Sequence, residues 1–414
     1  MSDTAMSTMS TDTDSRSTDV STTAAKTRQP GFAAEGGPRV RPAACAHLSD
    51  EQVAELGREL DAIRDEVLAS RGAEDAAYIR RVVKVQRILE LSGRGCLLFA
   101  ANPVAFVAGS GVLGVAKILE NMEIGHNVLH GQWDWMRDPD IHSTTWEWDF
   151  VAPAKGWKHT HNDLHHTWTN VVGRDSDVGY NLLRMSDDQP WTPKALFNVP
   201  LNMILAPFFE WGIASYDLEV DRLKSGEKSR EDYNRDMSEF KRKAIKQGLK
   251  DYAATPVLAL LTGSAVPALV GTFVANMIRN VWAHAVIFCG HFPEGIDTFT
   301  EEMVEGETRG DWYLRQMLGS GNISGGPLLH IMTGNLSHQI EHHLFPDLPS
   351  RRYGQIAPRI REICERYKLP YNTGPMYKQV YLSWKRVFEM SFPPKKVNSD
   401  AAGHSPLPLA AKIF

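Results

Sequence analysis

Cysteine is scarce in this chain and never paired in sequence. Its four copies, Cys45, Cys96, Cys289 and Cys364, are scattered through 414 residues with no C-x-x-C among them. That spacing argues against a disulfide framework or a thiolate metal site and suits a reducing compartment. An excess of one charge is missing too. Forty-five Lys and Arg face 50 Asp and Glu, a net charge of −5, so nothing draws the chain to nucleic acid. The N-terminal stretch lacks a charged start, an apolar core and a small-residue cleavage site, and is not read as a secretory leader. No G-x-G-x-x-G follows a strand pattern and no His-Pro-Gly-Gly occurs, which excludes a fused nicotinamide, flavin or haem-binding domain. Absence of H-E-x-x-H disfavours a zinc protease.

Local apolar runs are present, hidden in a mean hydropathy of −0.31. Residues 1–44 are mostly rich in Ser, Thr and Asp and are expected to form a disordered tail; 391–414 are read as a C-terminal tail, leaving 45–390 as one domain. Ser49 or Asp50 is expected to cap a helix with apolar Val53, Leu56, Leu60 and Ile63 at helical spacing. A basic helix follows over Tyr78–Leu91, with Arg80, Arg81, Lys84 and Arg87 as candidates for lipid headgroups or an acidic substrate group. Cys96–Ile118 is apolar or small apart from Asn102-Pro103, Ser110 and Lys117. A span needs about 20 apolar residues, so 88–119 fits one long span or two short ones turning at Asn102-Pro103. Pro190–Ala214, rich in Trp and Phe, reads as interfacial. Ala253–Gly290 has length for two spans, and its Pro and Gly are tolerable there. The Lys241-Arg242-Lys243 connection beside it favours the cytoplasmic side. The expected fold is all-α: an integral membrane bundle of about four spans in two hairpins, with a helical cap on the cytoplasmic side and both termini there.

Three histidine clusters organise the rest: His126-x-x-x-His130, His161-x-x-x-His165-His166 and His338-x-x-x-His342-His343. One H-x-x-x-H-H match is expected only ~0.02 times by chance in such a chain, and two occur. Residues four apart share a helix face, and eight imidazoles are enough to wrap two metal ions. Neutral imidazole suits Fe, Zn, Cu and Ni alike. To bring 166 and 338 to one centre, an even number of crossings must separate them, which two spans in 253–290 satisfy. Asn280, His284 and His291 share a face of the last apolar stretch and are candidates for a ninth ligand. His159 is read as peripheral; Asp163, Glu341 and Asp134 are candidates to orient an imidazole N–H. Glu123-x-x-His126 suggests a carboxylate-bridged di-iron bundle, but that fold needs a second E-x-x-H and none is found.

The boxes, in this order and with apolar hairpins between them, resemble the membrane fatty-acid desaturase family, whose pattern is H-x(3,4)-H, H-x(2,3)-H-H and [HQ]-x(2,3)-H-H. His338-Gln-Ile-Glu-His-His-Leu-Phe-Pro346 is the most specific stretch. Gly125-His-Asn-Val-Leu-His-Gly-Gln-Trp-Asp-Trp135 is similar to actinobacterial membrane acyl-CoA desaturases of the stearoyl-CoA Δ9 type. The resemblance spans about 45–390.

It implies a di-iron enzyme using O2 and two electrons to remove two hydrogens from adjacent acyl carbons, with release of water. Carried over residue by residue, the iron ligands are His126, His130, His161, His165, His166, His342 and His343, with His291 preferred to His284 as the ligand before the third box. That box starts at His338 or at Gln339; His338 is favoured, with Gln339 bonding nearby. The substrate is a long-chain acyl-CoA or acyl lipid lying in a narrow apolar tunnel, because positioning decides which C–H bonds react. Trp133, Trp135, Trp146 and Trp148 are candidates to line it. Electrons come from a separate NAD(P)H-dependent reductase or ferredoxin-type partner. The alternatives are a hydroxylase on the same scaffold and a non-catalytic membrane metal-binding protein.

Overall fold

A computed structural model describes residues 32–33 and 40–394. Most of the two expected tails therefore lies outside the described residues. The described residues are mostly helical, with one short parallel pair of strands among them, β1 (Asn322–Ser324) and β2 (Thr373–Pro375).

Helix α1 (Asp50–Ala69) starts at Ser49, whose side chain accepts from the Gln52 amide while Gln52 returns a bond to the Ser49 amide. This reciprocal cap satisfies two donors that a helix start leaves free. Val53, Leu56, Leu60 and Ile63 are all buried, as their spacing predicted. They pack with α9 (Arg309–Leu318) and α11 (Tyr353–Arg366) through Trp312, Tyr313, Ile356, Ile360 and Ile363. These helices form a layer that packs against the third histidine box through Ile340, Leu344 and Phe345.

Two helical hairpins stand beneath it. The first joins α2 (Ala73–Leu97) to α3 (Pro103–Leu129), turning at Asn102, whose side chain caps the Val104 and Ala105 amides. Proline at the first helical position needs no partner for its nitrogen, so the turn falls at Asn102-Pro103. In the second hairpin α7 (Arg230–Leu249) runs on through a π turn, Lys250–Ala254, to a break at left-handed Gly263. From there α8 (Ala265–His291) returns.

Among the described residues, α3 alone combines the length and apolarity of a membrane span. At 27 residues α8 is long enough, but buried Asn276, Arg279, Asn280 and His284 interrupt its apolar character. The stretch expected at an interface forms a broken helix, Pro193–Leu205 and Phe209–Ser225, bent by 117°.

Charge ties the hairpins together. The buried Lys117 ammonium on α3 reaches Asp149 Oδ2 at 3.1 Å and Asp251 Oδ2 at 2.9 Å. Arg94 of α2 holds the other Asp251 oxygen at 2.9 Å, and Arg279 of α8 pairs with Glu210 at 2.7 Å.

Candidate metal centre

The first two boxes do not sit on regular α-helix. Glu120–His126 and Lys158–His165 are π turns, the latter inside a helix over 154–168, here α4. In an α-helix His166 would lie roughly 140° around from His161. The wider i→i+5 turn closes that angle, so His161, His165 and His166 all face inward.

The third box is short helix α10 (Gln339–Leu344), entered through Gly334 and Asn335, both left-handed. A Cβ on Gly334 would stand 2.5 Å from the Met122 carbonyl oxygen of α3. Glycine is required there by both conformation and contact. Gly334→Ala is expected to cost about 1–3 kcal/mol in strain and to unseat α10, seen as a lower melting midpoint together with less bound metal.

Side-chain nitrogens converge in two groups. His126, His130, His161 and His342 form one, and His165, His291 and His343 the other, with ligand atoms in each within 4.8 Å of one another. His166 bridges them: its Nε2 is 3.3 Å from His161 Nε2, and its ring stacks on His343 at 4.5 Å. Nε2 atoms face one another at 3.3 Å in His126–His342 and 3.2 Å in His343–His291. Metal–nitrogen bonds of ~2.1 Å give polyhedron edges of roughly 3.0–3.4 Å, so these distances fit donors around an ion. His130 Nε2 and His165 Nε2 are buried without a hydrogen-bond partner. A buried orphan nitrogen is costly, and a metal bond removes that cost.

Burial and the neighbouring imidazoles hold His130, His161, His166, His342 and His343 well below the ordinary histidine range. They are neutral, as ligation requires. Burial would lower His165 as well, but the Asp175 and Asp177 carboxylates outweigh it and raise it to about 9. His165 Nδ1–H donates to Asp175 Oδ2 at 2.9 Å, which leaves Nε2 for a metal. Asp177 lies 3.7 Å from His161 Nδ1 and 3.6 Å from His165 Nδ1. Gln316 Oε1 stands 3.1 Å from His343 Nδ1, and the Tyr353 hydroxyl 3.3 Å from His342 Nδ1.

Several expected positions are corrected. His338 lies outside the cluster, stacked on His330 at 4.6 Å beside an outer groove with Gly354 and Arg361. It precedes α10, whereas Gln339, His342 and His343 lie at i, i+3 and i+4 within it and share its inner face. Gln339 Nε2 is 3.0 Å from His291 Nε2, so Gln339 and not His338 borders the cluster. His284 sits away from the cluster, bonded to Asn202 at 2.8 Å and stacked on Phe288. Asn280 donates to the Pro207 carbonyl. Asp163 is exposed beside His159, Asp134 bonds the Ser143 amide and hydroxyl, and Glu341 is held by Asn322 and Tyr371. Glu123 accepts from Tyr78, Asn335 and Ser350 and is not offered to a metal.

The orienting pair Asp175 and Asp177 was missed. Its only sequence signal is a D-x-D ten residues past His165, too common to stand out. Asp175→Asn is expected to weaken metal retention about 10–100-fold, the usual cost of losing a ligand's hydrogen-bond partner. Metal remaining after timed exposure to a chelator measures this.

A narrow cavity runs along the cluster. Trp148, Phe150, Trp157, Tyr180, Phe209 and Ile287 line it with His161, His165 and His291. Of the other proposed tryptophans, Trp133 packs with Ile79, Ile124 and Val128, and Trp135 lies under Arg71. A wider basin of about 610 Å³ opens on the other side of α4 and reaches Leu129 and His130. The Thr160 hydroxyl, donating to Asp217 at 2.6 Å, stands between them.

Comparison with known proteins places these features. The model of the family described as fatty acid desaturase matches residues 101–375. A Mycobacterium tuberculosis protein named NADPH-dependent stearoyl-CoA 9-desaturase is 52% identical over 358 residues, 86% of this chain and 84% of its own. The sn-1 linoleoyl-lipid 6-desaturase of Synechocystis is 25% identical over 81% of this chain and 93% of its own. The Delta(5) fatty acid desaturase A of Dictyostelium discoideum is 24% identical over 66% and 60%.

Proposed function

This chain belongs to the fatty acid desaturase family, and from that membership we propose that it is an O2-dependent di-iron desaturase. Its reaction places a cis double bond in a long-chain acyl-CoA, at the Δ9 position of stearoyl or palmitoyl chains. The observation that carries this is two groups of converging, buried imidazoles flanking a narrow apolar cavity. The 52% identity to a stearoyl-CoA 9-desaturase supports the choice of substrate.

His126, His130, His161, His166 and His342 would hold one iron, and His165, His291 and His343 the other, with Gln339 beside His291. Iron bound there supplies O2 reduction and C–H abstraction. Asp175 and Asp177 keep the second-box imidazoles in the right tautomer. Trp157, stacked on His161 at 4.4 Å, and Trp148 exclude water and hold the acyl chain against the cluster, where alignment selects the carbons that react. Electrons arrive from a separate NAD(P)H-dependent or ferredoxin-type partner, and the NADPH dependence in the mycobacterial relative's name supports the first.

The setting is the cytoplasmic membrane, crossed four times by the two hairpins, with the metal centre on the cytoplasmic side. Support comes from their outer surface. Leu91, Phe99, Val104, Val107, Leu258, Leu260, Leu261, Val266 and Phe273 are all exposed around the hairpin ends, and a group of exposed large apolar side chains marks a lipid or protein contact.

The test is expression in a bacterial host lacking its own desaturase, with double bonds located by mass spectrometry of disulfide adducts. New Δ9 monoenes are expected. Hydroxy acids would favour the hydroxylase, and no new product from iron-loaded protein with a reductase supplied would overturn the desaturase reading.

A further inference from the structure

A helix packed on a protein normally turns its apolar stripe inward and its polar face to water. The C-terminal helix α12 (Met376–Glu389) departs from this, burying mostly polar side chains beside Val387 while an aromatic line faces outward. Its buried line is Gln379, Ser383, Val387 and, just past its end, Ser391. Gln379 donates to the Asn322 carbonyl at 2.9 Å and Ser383 to the Phe288 carbonyl at 3.0 Å. Arg386 donates to the carbonyls of Met185 and Ile296, each at 2.9 Å. The outer line is aromatic: Tyr377 is 79% exposed, Tyr381 65%, Phe388 56% and Phe392 46%. At 100° per residue these four fall within about 60° of one another, with Lys378 and Lys385 along one edge of the stripe.

Water is a poor neighbour for such a face, and three observations name a better one. Ser383 is tied to Phe288, seven residues beyond exposed Val281 on α8. That is about 10 Å along the helix axis, so α12 stands just outside the end of the lipid-facing part of α8. Second, the far end of α12 is bound to the segment read as interfacial. Trp191 Nε1 of that segment donates to the Ser391 carbonyl at 3.0 Å, and Arg184, ahead of the segment, donates to the Met390 carbonyl at 3.3 Å. The aromatic stripe thereby adjoins a segment whose Leu196 and Phe197 are more than half exposed. Third, Tyr, Phe and Lys side by side are the residues that favour the headgroup layer over either water or hydrocarbon.

We propose that α12 is an interfacial helix, lying in the headgroup layer with Tyr377, Tyr381, Phe388 and Phe392 turned into the lipid. The partner is a lipid surface, not a second protein. The inference rests on the membrane placement proposed above and adds a second attachment, polar side inward, which clamps the third-box end of the molecule to the bilayer.

The experiment uses full-length, iron-loaded chain in lipid nanodiscs, with nitroxide labels placed singly at 378, 381, 388 and, as a control on α8, 273. Collision of each label with dissolved oxygen and with a water-soluble nickel chelate is measured. Labels at 381 and 388 are expected to show an oxygen-to-nickel ratio several-fold above that at 378. If 273 is lipid-exposed while 381 and 388 match 378, the proposal for α12 is overturned and the membrane placement stands. If 273 is also nickel-accessible, the membrane placement itself fails. Broadening between labels at 381 that grows with protein concentration would mark the face as a contact between copies and overturn the lipid assignment. The unlabelled wild-type chain gives an independent reading by photolabelling from a lipid-borne diazirine. Adducts are expected on Tyr377 or Tyr381, and their absence alongside labelled α8 peptides counts against the proposal.

Discussion

His342→Ala is expected to abolish double-bond formation, lowering turnover by roughly three orders of magnitude or more, which corresponds to ~4 kcal/mol or more of lost transition-state stabilisation. His342 belongs to the four-nitrogen group, is fully buried, and faces His126 Nε2 at 3.3 Å. Its Nδ1 lies 3.3 Å from the Tyr353 hydroxyl, so the ring is held with Nε2 turned to the centre. Alanine leaves a gap that no nearby side chain fills. Iron content is expected to fall with activity, because metal affinity sums over the ligands. His338→Ala is the matched control: that ring stacks on His330 away from the centre, and the variant is expected to keep iron and activity close to wild type. Gln339→Ala should fall between them. Iron measured per chain and monoene formed per hour decide the order, and a His338 variant as damaged as the His342 variant would refute the placement of the third box.

Lys117→Met is expected to destabilise the protein by about 3–5 kcal/mol, the range for removing one partner of a buried ionic cluster. The ammonium is buried on α3 between Asp149 and Asp251. Without it, two carboxylates face each other in an apolar bundle. Gln247, Lys250 and Arg94 remain within reach of them and limit the loss without balancing it. Lys117→Arg keeps the charge and should recover much of the stability. Lys117→Met combined with Asp251→Asn should lose less than the two single changes added, because their effects share one network. Melting midpoints in one detergent, with iron loading held constant, give the comparison. Equal midpoints for wild type and Lys117→Met would show the cluster to be dispensable.

The histidine clusters were legible because their chemistry is local. Imidazoles meant for one face must recur about four residues apart, and His161, His165, His166, His342 and His343 stand together in the fold. The Asn102-Pro103 turn and the α1 core face were legible for the same reason, since caps and helical periodicity are written in adjacent residues. Contacts between distant segments were not. Spacing alone offered His338 and Gln339 equally, and only the left-handed entry at Gly334 and Asn335 sets the phase of α10 and turns Gln339 inward. Likewise His291 and His284 lie on one face of one helix, two turns apart. Whether either meets the cluster depends on where α4 and α10 cross α8.

By itself, then, the sequence determined the residue types of the centre, the helical class and the apolar hairpins, because each follows from periodicity and composition within a few turns. Tertiary structure alone decided which nitrogens converge, which carboxylates orient them and where Lys117 finds its counter-charges. Those outcomes depend on the packing of residues as far apart as 126 and 342 or 117 and 251. Local rules carry no distance information across such separations, and burial rewards a single arrangement only once the helices have met.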